Sequence, residues 1–420
     1  MTENDDHTDS DSTDHTDRPF ASGQQERNAH YPDRGYNLVE IDTMRPPGRA
    51  LTLLGHSLKL SSITLPPATE FEDYVVYDAD GHAYDHDDLG ASSETTATST
   101  VDELVDTIRT GERHAQRLAL CRLVSVAADE PQACLDALPV LTTVLQETGL
   151  SMQAESLAVL SRLAEQYPES VSPAVGDVIR FLTPETPSEI LVDAIGIVEA
   201  VSDSNPGAVV DSVPKLAALL QDGSPADGTA LAAILHIAEV YPDSVVPITP
   251  QLVAYLDESR DEHRIGALAV LGTLSKSYPN VAEETIPTAI GLLQAEHDKV
   301  RANAAGLLAD LASEYPDQIE PAIPRAIELL VDTDGHARYN ATSILAHVAK
   351  VHPDSVEPAI EPLVGALDEE FAYTRGNACW ALGYLQAADA LERLQELERS
   401  DPNEEVRQAA AAAIAEIDRG

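Results

Sequence analysis

From residue 101 onward, apolar side chains recur with a helical period, and the periodic segments come in pairs, as in Ile319 to Leu330 followed by Ala337 to Val348. In the second of these, Ile344, Leu345 and Val348 fall at i, i+1 and i+4, which predicts a helix with one face against a core. Prolines punctuate the pairs. Pro131, Pro168, Pro206, Pro242, Pro279, Pro316 and Pro353 follow at steps of 37, 38, 36, 37, 37 and 37, most of them in a local YPES, YPDS, YPNV, YPDQ or HPDS context. A fixed period in this range predicts an array of stacked helix pairs. In the copy EYPDQIEPAIP, Pro316 should push Tyr315 out of helical geometry and end one helix, and Asp317 is placed to cap the next. A second proline set, Pro250, Pro287 and Pro324, with Pro214 and Pro362 near the same phase, falls inside the first segment of each pair. An interior proline costs ~3 kcal/mol in a straight helix, so its recurrence predicts a built-in kink.

The first hundred residues have a different texture. Residues 1–35 hold nine acids, three Arg and almost no large apolar side chain, which predicts a disordered acidic tail. Over 36–88, the runs YNLVEI, ALTLLGHSLKL and DYVVYD predict a small β-containing segment. Residues 89–100, including ASSETTATST, read as an acidic linker into the array at 101–420.

One feature of the array is polar. Arg264, Arg301, Arg338 and Arg375 recur at 37 residues, each at the start of the second helix, and Glu258, Asp332 and Glu369 stand six residues before three of them, with Ala295 in that place before Arg301. Asp401 and Arg407 in DPNEEVRQAAAAAIAEI repeat the offset. These features resemble HEAT repeats with their Asp/Arg turn, and DPNEEVR and ALGYL (381–385) resemble the shorter variant of phycobilin-lyase-like proteins. The resemblance implies an all-α, right-handed α-solenoid of about nine helix pairs, with kinked first helices. It further implies a protein-binding scaffold or adaptor, of which archaeal taxis and motility adaptors are one kind, and, as an alternative, a lyase or chaperone of a tetrapyrrole-type cofactor.

Charge narrows the partners. With 72 acids against 26 bases the formal net charge is −46, which disfavours nucleic acid and anionic membrane surfaces. Only five of the bases are Lys, and an acid-rich, Lys-poor surface resembles proteins of salt-loving archaea, whose medium screens charge within about 3 Å at 1 M. The alternative is a charge aimed at one basic partner. Cys121, Cys134 and Cys379 match no metal or disulfide pattern and read as buried thiols of a cytoplasmic protein. No apolar run reaches the ~18 residues of a membrane span.

Candidate chemistry is sparse. GxSxG, P-loop, GxGxxG and HExxH signatures are missing, and so is the His-Glu dipeptide of the di-iron HEAT enzymes, so no catalysis, cofactor or small-molecule substrate is expected. DADGHAYDHDD (78–88) opens like a calcium loop but lacks the bidentate Glu at its twelfth position, which leaves a solvated acidic loop as the simpler reading. The most regular polar set is RANA, RYNA and RGNA: Arg301 with Asn303, Arg338 with Asn340, Arg375 with Asn377. Either these residues bond within the array, or they and Arg264 grip an extended partner segment. Trp380 and Tyr384, one turn apart, are core aromatics or the anchors of such a contact. A protein partner held along the array is the expectation, with the acidic tail as an intramolecular competitor in a further version.

Overall fold

The computed structural model describes residues 50–53, 56–59, 76–77 and 83–84, and 100–419 except 148, 221–225 and 259–260. Two short antiparallel hairpins precede the helices: β1 (Ala50–Leu53) with β2 (His56–Lys59), Ala50 opposite Lys59, and β3 (Val76–Tyr77) with β4 (Ala83–Tyr84). The predicted tail and the rest of the segments before Thr100, including most of DADGHAYDHDD, lie outside the described residues.

From Val101 on, every described element is a helix or a turn, and the helices fall into two compact units divided at Leu274. The first holds α1 (Val101–Thr110), α2 (Arg113–Asp129), α3 (Leu138–Glu147), α4 (Leu150–Gln166), α5 (Ser188–Ser204), α6 (Val213–Leu219), α7 (Asp227–Val240), α8 (Thr249–Glu258) and most of α9 (Asp261–Ser277). In the second are α10 (Ile286–Leu292), α11 (Asp298–Leu311), α12 (Ile323–Leu329), α13 (Gly335–Ala349), α14 (Ile360–Ala366), α15 (Ala372–Tyr384), α16 (Leu391–Ser400) and α17 (Glu404–Ile417). Within each unit the long second helices of successive pairs lie side by side, α2–α4–α5–α7 in the first and α11–α13–α15–α17 in the second.

That arrangement decides which side chains are apolar. Helix α16, a first helix, buries only Leu394 and Leu397, whereas α13 buries eleven of its residues, Ile344, Leu345 and Val348 among them. A single core-facing stripe was the expectation for α13. Instead it meets neighbours before and after it and its own first helix, so most of its circumference is covered, and small residues must supply the close approaches. Gly383 on α15 is one such approach: a Cβ there would stand 2.8 Å from Ala413 Cα on α17.

The first helices correct another expectation. Where the repeat prolines fall, as at 206–219, 242–258, 279–292, 316–329 and 353–366, the first helices are not kinked single helices but are broken into short pieces, whereas α1, which has no proline, is continuous. In the copy at 316–329, a single α-turn (Pro316–Ile319) leads into a 3₁₀ turn (Glu320–Ala322) and then α12, and a proline stands in the first two positions of all three. At the start of a helical piece the missing N–H is not needed, so the penalty of an interior proline is avoided. Tyr315 does leave helical geometry, at φ −123° and ψ 49°. Asp317 does not cap by its side chain; it sits in the first turn, and its carboxylate pairs with His352 Nε2 of the next repeat at 2.6 Å.

Candidate functional site

The predicted arginine column is a chain of clasps. Arg301 donates from Nε and Nη2 to the carboxylate of Asp332 (2.7 and 3.0 Å) and from Nη1 to the carbonyls of Ala295 and Glu296 (2.8 and 2.9 Å). Arg338 does the same with Glu369 (3.0 and 3.2 Å) and the carbonyl of Asp332 (2.8 Å), and Arg375 with Asp401 (2.7 and 2.8 Å) and the carbonyls of Glu369 and Glu370 (2.9 and 2.8 Å). The acid six residues before an arginine therefore does not offer that arginine its carboxylate. It offers its carbonyl, and the carboxylate reaches back to the arginine of the preceding repeat. Asp332, Glu369 and Asp401 each join two repeats in this way, and Arg407 closes the series on the carbonyl of Asp401 at 2.7 Å. Forked, charge-assisted pairs of this geometry are among the stronger polar contacts a protein makes.

The surroundings tune these groups. Burial pushes the Asp401 carboxyl up, but the Arg375 guanidinium and the Asn403 N–H outweigh it and hold it below the usual carboxylate range. Asp332 behaves likewise, with Arg301 and the Asp334 N–H prevailing over burial. Asp334 caps α13, accepting from the N–H groups of His336 and Ala337 at 2.7 and 3.2 Å; burial raises its carboxyl, and the bonds from His336 and Ala337 bring the net value down to about 2. Asn403 caps α17 in the same way.

Arg264 is built differently. It donates from Nε to the carbonyl of Leu256 at 2.9 Å and from Nη1 to Asp261 at 2.8 Å, both within its own repeat. This bond has counterparts that a search for arginine alone passes over: Gln116 to Ile108 O and Gln153 to Leu145 O, each 2.8 Å, occupy the same phase of the 37-residue period. At the next such position but one, Asp227 accepts from Tyr255 at 3.0 Å. Stepping back from Arg264 in units of the period would have found all three.

The remaining candidates lie in the core. Asn303, Asn340 and Asn377 are fully buried, and Asn340 donates to Ala302 O at 3.0 Å, so a partner side chain cannot reach them in the folded array. Trp380 is also buried, with its ring stacked on Tyr384 at 6.0 Å; Tyr384 is half-buried and faces Lys350, whose Nζ is 5.9 Å from the ring centre. Arg301, Arg338 and Arg375 thus tie repeat to repeat, as Asn340 does through Ala302 O, whereas the Asn377 amide is buried with no hydrogen-bond partner among the described residues; of the aromatic pair only Tyr384 meets solvent.

The edge formed by the proline turns was read as punctuation and proves to be a surface as well. Glu130, Pro131, Gln132, Ala133, Gln166 and Tyr167, from two successive turns of the first unit, line an open cleft of about 520 Å³. Farther along that edge Val240 and Tyr241 are exposed, 56% and 43%. Polar bonds join successive turns along this edge: Asn205 Nδ2 to Ser172 at 3.1 Å in the first unit, and in the second Asp317 with His352, Gln318 Nε2 to Glu283 at 2.5 Å, and Ser355 to Glu320. Among the described residues no three His, Cys, Asp or Glu side chains are grouped to hold a metal ion, and no helix is long and apolar enough to cross a membrane.

Paired helices stacked through their second members define a helical-repeat protein. Within it, residues 360–419 match the model of HEAT repeats. An engineered protein solved by a structural genomics consortium is similar in fold, with a TM-score of 0.67 and 21% identity over 79% of this chain and 91% of its own. A structure from work on a phosphorylation switch in the interaction between cadherin and beta-catenin is similar at a TM-score of 0.61 and 15% identity, over 75% of this chain and 69% of its own. No curated protein matches.

Proposed function

We propose that the chain is a non-catalytic scaffold that holds a partner protein along its repeats, of the kind used in signalling or taxis. The observation that carries this reading is the clasp series: it ties consecutive repeats of the second unit to one another, and stacked repeats of that kind suit recognition of an extended partner. The likeness to a structure from cadherin and beta-catenin work agrees with a binding role at the level of fold. We read the excess of acids as an adaptation to concentrated salt, with the consequence that binding persists when long-range charge is screened. Affinity purification of the full chain at high salt, followed by mass spectrometry, is the test. A protein retained in a fixed ratio is expected. A co-purifying chromophore with visible absorbance would favour the lyase-type alternative, and retention of neither would overturn the scaffold reading.

A further inference from the structure

The proline-turn edge of the first unit combines three properties. It is acidic without compensation: within four residues of Pro131, Pro168, Pro206 and Pro242 there are seven acids and no Lys or Arg. It is also apolar in spots, since Val240 and Tyr241 are two of the three large apolar side chains exposed among the described residues of this unit. Tyr241 leans over Gly207, where a Cβ would stand 2.9 Å from its hydroxyl. And it is concave, because the turn at Glu130–Ala133 and the turn at Gln166–Tyr167 leave the cleft of about 520 Å³ between them.

The lining of that cleft suits one chemical group better than others. Among its lining residues Tyr167 carries an aromatic ring, Glu130 a carboxylate, and Gln132 and Gln166 amide groups. A guanidinium can stack its plane on a tyrosine ring and aim its forked N–H groups at a carboxylate and an amide oxygen together. An ammonium, a compact point charge, uses only part of this. The edge runs across successive turns and does not close into a pocket, so an extended chain is favoured over a small molecule.

We propose that this edge, centred on the Glu130–Tyr167 cleft, docks an extended arginine-bearing segment of a partner protein. The inference rests on the scaffold reading and gives the partner its chemistry. It differs from a grip by the arginine column, which would have required an acidic partner.

The full chain is titrated, in about 0.5 M salt to screen unspecific attraction, with a fluorescent Arg-Ser octapeptide repeat and with its Lys-Ser counterpart. The arginine peptide should bind, and bind more tightly than the lysine peptide. The double variant Glu130→Gln/Glu169→Gln, which removes the cleft carboxylate and the edge acid next to Pro168, should weaken it about tenfold, as should Tyr167→Ala, while Asp102→Asn/Glu185→Gln, an equal loss of charge elsewhere on the unit, should change it less than about twofold. The carboxamide variants touch no core residue, so the test survives if Tyr167→Ala fails to fold. Equal weakening by the two double variants, or equal binding of the two peptides, would overturn the inference. So would capture from a lysate of the same protein by wild type and by Glu130→Gln/Glu169→Gln, a result that leaves the scaffold reading standing; capture by neither overturns that reading instead.

Discussion

Arg375 and Asp401 show how much one pair can be made to matter. Their side chains are 10% and 2% exposed, so deleting one partner strands the other's charge out of water. For Arg375→Ala we expect a loss of about 3–5 kcal/mol in urea unfolding, against about 1 kcal/mol for Arg264→Ala, whose bonds stay within its own repeat. If the two variants are equally stable, the clasps are not what ties the repeats. Acid should undo the same region. Asp334 has its carboxyl depressed to about 2 in the folded chain, below the value of about 3.9 for an unfolded aspartate. Its contribution is therefore complete above about pH 4 and is lost as pH falls toward 2. Asp334→Asn keeps an N-cap side chain but removes the titration, and should flatten the stability profile in that window by roughly 2 kcal/mol.

At the scale of the element, two sites at the C-terminal end of α15 oppose each other in sign. Gln386 ends α15 in the left-handed region at φ 51°, with its N–H on Gly383 O and the Ala387 N–H on Leu382 O, the arrangement that usually employs glycine. Gln386→Gly should stabilise the protein by about 0.5–1 kcal/mol. Gly383→Ala should destabilise it by about 1–3 kcal/mol, since the new methyl meets backbone on α17. Thermal unfolding followed by circular dichroism distinguishes the two, and a shift in the same direction for both would show the turn geometry to be wrong. The elements also mark where sequence reading stops. Proline spacing and apolar period reveal the helix pairs, because both depend on residues near in sequence. The direction of the Asp332 carboxylate does not, because its partner Arg301 is 31 residues away and either neighbouring arginine was a reasonable choice. Asn340 and Asn377 looked like available donors for the same reason: their burial comes from helices one repeat away.

The whole molecule is acidic, but unevenly matched. In the second unit, acids on the turn edge are partly occupied by His352, Gln318 and Ser355 of neighbouring turns, while the cleft at Glu130 and Tyr167 in the first unit stays open. A protein of net charge −46 would attract any cation weakly, and selectivity must come from such local shape.

The double service of Asp332, Glu369 and Asp401 also bears on how a chain like this changes length. Each acid gives its carbonyl to the arginine six residues ahead and its carboxylate to the arginine behind, and so refers only to its immediate neighbours. Excision of residues 333–369, one full period, would leave Asp332 six residues before Arg375 and still answering Arg301. We expect that shortened chain to fold, with unfolding still cooperative, whereas loss of 333–351 should not be tolerated; comparable stability of the two would count against the clasps as couplings. Inheritance by whole repeats, gained or lost, thus leaves each clasped junction with a donor and an acceptor in register.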